Sequence, residues 1–506
     1  MVVEDPSLEG VEPLLDHLIT TAHTSGIQAL HQAGLRLEDI KTSTSAHRRF
    51  LRGCHYGFDI AQRHVTRVVV ELEEKARNLR EIPRLKSDRA DRIQLLRVIR
   101  TRQLILRRLI DSILFQALYP DERALRYFAV EDRLHPIDPP VLMRMADVAH
   151  QRNREDRLKF NVVCDLTTAA HIGDLVEVDR TNLSKASWRV VELKGGRMNA
   201  LLSKTIEEKG GSVTEQDLDT LKAAHGTAAV RQAKRMIRQR DRQDSFQSLM
   251  KTGRGTSPQY QVPIHISPEL LCVGNYMDAI LQTCLQAKEH GLATTTVDGC
   301  LRLLAAKPGH VLWPNSDFGA IIHCFYHIGE RIEECGLGDP IKSENELQAL
   351  REIPPVVDLV MHNMHDPVGT PIFLLANLEI VKDLVMGRLR LFVQLDLRRF
   401  FEQAAAEGIE LSWISRKESE KYKKVSGIIP GSPGSYGVRI TISGMPEQVL
   451  LGGFFRRAIG DFTPPRELLR MIKQFPHQLR KMADGEGDKE TVRDFTSTSP
   501  PPGPRG

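Results

Sequence analysis

The chain has 506 residues, 41% hydrophobic and 27% charged, with 70 Lys+Arg against 65 Asp+Glu and a formal net charge of +5. At roughly 150 residues per domain this length predicts about three domains, and the apolar fraction excludes a largely disordered, collagen-like or mucin-like chain. So small a net charge does not by itself call for nucleic acid or a membrane, and charge has to be read window by window. The 7 cysteines are widely spaced with no CxxC pair, which excludes a disulfide framework and a zinc ribbon and suits a reducing compartment. Neither a leader pattern nor an apolar run of membrane-spanning length is present, so a soluble cytoplasmic protein with no membrane partner is expected.

From residue 13 to about 149, apolar residues return every three or four positions and the pattern is helical, most clearly over 93–118, where Asp88 and Asp91 precede the run and Pro120 ends it. Between 161 and 194 the period shortens to three strand-like runs, 161–166, 172–178 and 188–194, which predict a meander. Helical spacing returns over 198–208 and 215–250, and the Gly- and Pro-containing loop at 252–258 marks the main boundary. Beyond it, helical runs at 268–290, 316–334 and 344–350 give way to strands at 390–395 and 437–442 and a closing helix at 465–482. The tail, 484–506, is rich in Pro, Gly and Ser and predicts disorder. The expected architecture is α+β and multidomain: an N-terminal helical region (1–142), a central α/β core (143–251), a C-terminal α+β accessory domain (259–483) and the tail.

The stretch that carries chemistry lies in the meander. Side chains alternate along a strand, so Glu192 and Lys194 share a face while Val191 and Leu193 share the other. If 172–178 pairs antiparallel with 188–194, Asp174 lies beside Glu192. Two carboxylates side by side are unfavourable unless a cation lies between them, and carboxylate oxygens are ligands that Mg²⁺ selects. Asp174, Glu192 and the backbone carbonyl of Leu193 are therefore the expected metal ligands, and Lys194 the residue that orients or deprotonates a bound water.

This pattern resembles the PD-(D/E)XK nuclease superfamily, whose restriction-endonuclease-like fold carries an Asp at the start of the second core strand and an acid-x-Lys on the third. Asp174, Glu192 and Lys194 match those positions, and Gly173 stands where the family's name-giving Pro would be. The resemblance covers about a fifth of the chain. It implies a Mg²⁺-dependent (or Mn²⁺-dependent) nuclease with a central restriction-endonuclease-like core, acting on nucleic acid, DNA ahead of RNA. Large accessory-domain nucleases of this sort belong to bacterial defence or mobile elements, and the C-terminal domain would then select substrate or a protein partner. Acid-x-Lys also occurs at Asp39, Glu73 and Glu207, but without a preceding strand that carries an acid. The competing reading is an exposed hairpin ion pair, or a nuclease-like fold kept for binding or assembly without catalysis.

Two helices concentrate positive charge. Over 229–254 there are eight Lys/Arg against two Asp, with Arg231, Lys234, Arg235 and Arg238 on one helical face, able to meet phosphates or simply to face solvent. The resemblance offers Gln232 on that helix as support for the site, and Asp147 or Glu155 as an upstream acid. Over 84–108 there are nine Lys/Arg against two Asp, interleaved with leucines and isoleucines, which reads as a phosphate track or as a core helix whose arginine stems cover apolar surface. In the C-terminal half, His323, Cys324, His327 and Glu330, followed by His362, His365 and Asp366, have spacing that could bind metal, but the context of His365 ends its helix, and packed polar residues are the expected reading.

Overall fold

The computed structural model describes residues 12–81, 89–119, 137–170, 173–183, 187–193, 201–202, 204, 214–252, 254–256, 263–265, 274–308, 357–366, 369–422, 437–442 and 447–481. Lys194, His323, Cys324, His327, Glu330, the helices expected at 316–334 and 344–350 and the tail lie outside them. The chain mixes helices with antiparallel sheets and divides into two compact units between Leu271 and Cys272.

In the N-terminal unit, α1 (Glu12–His31), α2 (Asp39–Thr42), α3 (Thr44–Glu81), α4 (Arg89–Leu118) and α5 (Pro139–Glu155) precede the strands β1 (Lys159–Val163), β2 (Leu175–Asp179) and β3 (Ser187–Val191). Helix α3 buries the stripe Phe58, Ala61, Val65, Val69, Leu72 and Ala76, the spacing that a helix of 3.6 residues per turn turns inward. Helix α5 starts where the sequence instructs it to, with Asp138 capping the Val141 N–H and Pro139 in the first turn. Helices α3 and α5 cover β1, and the three strands form an antiparallel sheet in the order β1-β2-β3.

Strand β1 is an edge strand whose outward groups would be costly if left unsatisfied. Side chains satisfy them. Gln62 of α3 donates to the Asn161 carbonyl (3.1 Å) and accepts from the Val163 N–H (3.0 Å), and Asn153 of α5 accepts from the Asn161 N–H (2.6 Å). Beyond the meander, α6 (Glu215–Thr252) bends at Gly226, which has φ +80°. Ala233 of α6 packs with Leu202 and Leu218. The short strands β4 (Arg254–Thr256) and β5 (Pro263–His265) pair with each other.

The C-terminal unit is built on a four-stranded antiparallel sheet of β6 (Leu292–Val297), β7 (Leu301–Ala306), β9 (Arg390–Leu395) and β8 (Val357–Asp358), in that spatial order. Strand β7 is buried along its whole length. The β6–β7 hairpin turns through Asp298 and Gly299, both at positive φ, an Asp-Gly turn. Helices α7 (Met277–His290), α8 (Leu359–His365), α9 (Leu378–Val385) and α10 (Leu397–Ala406) follow the chain around this sheet, and three of them start on an Asx cap: Asp358, Asn377 and Asp396. A second antiparallel sheet, β10 (Ile409–Trp413), β11 (Gly437–Ile442) and β12 (Gln448–Leu451), is joined by α11 (Arg416–Tyr422), α12 (Gly452–Gly460) and the closing helix α13 (Pro465–Lys481).

Candidate active site

The register Leu175↔Val191 and Val176↔Val190 puts Asp174 and Glu192 at the same end of the β2–β3 pair. The ladder slips there by one residue: the Asp174 N–H donates to the Val191 carbonyl (3.2 Å), and the Leu193 N–H donates to the Asp174 carboxylate (2.6 Å). On the other side of β2, the Cys164 N–H donates to the Asp174 carbonyl (3.0 Å). Asp174 is thus fixed by both neighbouring segments. Glu192 accepts a hydrogen bond from Gln243 of α6 (2.7 Å). A Cβ on Gly173 would lie 2.2 Å from the Val190 side chain, 3.3 Å from Glu192 Oε1 and 3.4 Å from Gln243 Nε2, so glycine is what lets the backbone pass beneath the Glu192–Gln243 pair.

The loop that delivers Asp174 is clamped from below by α4. Arg107, fully buried, donates through Nε (3.2 Å) and Nη2 (2.7 Å) to the Thr167 carbonyl. Asp111 accepts from the Thr168 N–H (2.8 Å), the Thr168 hydroxyl and the Ala169 N–H (3.3 Å), and pairs with the equally buried Arg108 (2.9 Å). Charges held this way are costly to bury and costly to break, which makes the segment 167–170 rigid.

The field at this strand end is negative. The buried Cys164 thiol is pushed well above its ordinary range, first by burial and then by the charges of Asp165, Asp174 and Glu192. The charge of Asp165 also acts on the buried Arg107. Both carboxylates of the pair are half-buried. Hard oxygen donors gathered at one negative strand end suit Mg²⁺ in kind. Among the described residues, no group of three His, Cys, Asp or Glu side chains forms a metal cage. The carboxylates at this strand end are those of Asp174 and Glu192.

The other residues singled out in the sequence fall as follows. Leu193 holds Asp174 through its N–H, and Lys194 is outside the described residues. Arg231 and Lys234 are exposed on α6, and Lys234 lies 3.4 Å from Glu215; the side chains of Arg235 and Arg238 are not among those described. The glutamine that meets Glu192 is Gln243, 11 residues beyond Gln232 and roughly 16 Å along the helix from it. Asp147 is exposed on α5, and Glu155, also exposed, accepts from Gln151 (3.1 Å). In the other unit, His362 and His365 lie on α8 and Asp366 caps its end. Asp366 is buried beneath Gly369 and Gly460, 3.6 Å from His362 and 3.4 Å from Arg456, a packed polar group.

No family model matches the sequence, and comparisons with curated proteins and with solved structures likewise return no match. No described helix is long and apolar enough to cross a membrane.

Proposed function

We propose that the chain is a metal-dependent phosphodiesterase of the PD-(D/E)XK type, a nuclease acting on nucleic acid. The observation that carries the reading is that Asp174 and Glu192 lie at the same end of the β2–β3 pair, each held by a donor from a different segment. The order helix, three antiparallel strands, helix from α5 to α6 supports a restriction-endonuclease-like core around them. Asp174, Glu192 and the Leu193 carbonyl would hold Mg²⁺ (or Mn²⁺), which when bound polarises a phosphodiester and lowers the pKa of a coordinated water.

The chain's own residues do the positioning. The Leu193 N–H fixes the Asp174 carboxylate, Gln243 fixes Glu192, and the α4 clamp keeps the segment leading to them from shifting. Lys194, next to Leu193 in the sequence, would supply the ammonium that orients the attacking water. Arg231 and Lys234, with Arg235 and Arg238, would meet substrate phosphates along α6.

The second reading, a nuclease-like fold that binds or assembles without cleaving, draws support from the fact that both carboxylates already accept hydrogen bonds from the protein itself. Mg²⁺-dependent cleavage of mixed DNA and RNA by wild type, Lys194→Ala and Asp174→Asn separates the two. The nuclease reading predicts metal-dependent products from wild type and loss of at least roughly 100-fold in both variants, the scale of one general acid–base group. Equal background in all three ends it.

A further inference from the structure

Helix α3 carries a second charged feature, on the face opposite its buried stripe. Arg49, Arg52, Tyr56, Arg63 and Arg67 follow one another at spacings of 3, 4, 7 and 4 residues and so share one face. Over about 27 Å at 1.5 Å per residue they form a ridge. Arg49, Arg52 and Arg67 are exposed and Arg63 is half-buried. No ion pair among the described residues involves any of the four. At the far end of the ridge, His64 is held below the ordinary histidine range, by partial burial first and then by the positive charges of His17, Arg67 and Arg63. The His17 and His64 rings lie 5.5 Å apart. The acids on this face are Asp59, which stands between Tyr56 and Arg63 but is buried and accepts from His150 (2.6 Å) and Asn153 (3.0 Å), and Glu71 and Glu74 beyond the ridge.

Midway along the arginines, Tyr56 is 47% exposed, and the Arg157 guanidinium sits 4.5 Å over its ring. A large aromatic in the open, braced on one side by a cation, is a stacking platform. The ridge also has a direction. His55 donates to the Arg157 carbonyl (2.8 Å) and Gln62 bonds Asn161 and Val163, so α3 runs the same way as β1. Its Arg63–Arg67 end lies toward the end of β1 from which Cys164 bonds Asp174.

We propose that this ridge of α3 binds single-stranded nucleic acid, with the arginines on successive phosphates and a base stacked on Tyr56. A duplex keeps its bases inside its own stack and gains nothing from Tyr56. A bilayer would need an apolar helix face to insert, and that of α3 is spent on the protein's core. The ridge is separate from α6 and from the carboxylate site, and it rests on the nuclease reading only for the fate of the bound strand.

The test is fluorescence anisotropy with the full chain in EDTA, titrating a labelled single-stranded oligonucleotide, its duplex and phosphatidylserine-containing vesicles. Wild type is expected to prefer the single strand. Replacing Arg49, Arg52, Arg63 and Arg67 together by Gln should weaken binding and make the slope of log affinity against log salt shallower by roughly 3, at about 0.7 per phosphate contact. The matching Arg→Lys variant should keep the slope. Tyr56→Ala should weaken single-strand binding roughly tenfold and leave the slope unchanged. Equal or tighter binding to duplex or vesicles, or an unchanged slope in the Gln variant, overturns the proposal. Because EDTA abolishes metal-dependent cleavage, failure here leaves the nuclease reading standing, and failure of cleavage leaves the ridge standing.

Discussion

At the scale of single residues, Gly173 shows how steric room defines the site. Val190 is β-branched and stiff, so a methyl group placed 2.2 Å from its Cγ1 cannot be relieved by rotating a long side chain. Gly173→Ala is expected to cost about 1–3 kcal/mol, the range for overpacking, read as a lowered midpoint in urea. His55 gives a pH dependence. Burial, outweighing its bond to the Arg157 carbonyl, pushes it down from 6.5 to about 4. The unfolded chain takes up this proton as pH falls through about 6.5, and the folded chain does so only near 4, so stability present at neutral pH is lost on acidification across that window. Its size is roughly 3 kcal/mol at 1.36 kcal/mol per pH unit. His55→Gln should remove this component, so the difference in unfolding free energy between wild type and variant should change by about that amount between pH 7 and 4. That Asp174 and Glu192 fall at the same end of the β2–β3 pair was legible in the sequence, because a strand's period of two and an antiparallel register leave few alternatives. Gln243 was not: it reaches Glu192 from 51 residues away in the chain, and a helix bearing several glutamines does not announce which turn will lie over the strand end.

At the scale of elements, α4 illustrates what a charge pattern alone leaves open. Its arginines read equally as a phosphate track or a core helix, and the structure divides them. Arg97 and Arg100 are exposed, whereas Arg107 and Arg108 are buried against the segment 167–170. The division depends on carbonyl and hydroxyl partners some 60 residues away, which local periodicity does not encode. Asp111→Ala would strand the buried Arg108 and the Thr168 and Ala169 N–H groups, and it is expected to cost about 3–5 kcal/mol. Chemical denaturation would show it; a loss under about 1 kcal/mol would mean that the segment relaxes to water instead. The meander, by contrast, was readable, with its strands displaced from the expected limits by one to three residues. Asp174 and Glu192 consequently sit just outside β2 and β3, where the ladder slips.

At the scale of the whole molecule, two units each carry their own apolar core, Phe160 with Phe58 and Val162 in one and Phe373, Phe392 and Phe400 in the other. Residues 6–271 expressed alone should therefore unfold in one cooperative transition, as followed by circular dichroism in urea; a broad, non-cooperative melt would show that the unit needs the rest of the chain. The net charge of +5 is a small remainder of larger local excesses, on α6 and along the α3 ridge, set against acids elsewhere such as Asp174 and Glu192. The central claim is that Asp174 and Glu192 share one metal ion. Titrating wild type, Asp174→Asn and Glu192→Gln with Mn²⁺ and counting bound ion by electron paramagnetic resonance tests it most directly. The account predicts one ion on wild type that is lost in each single variant; unchanged stoichiometry in either variant, or no bound ion on wild type, would contradict it.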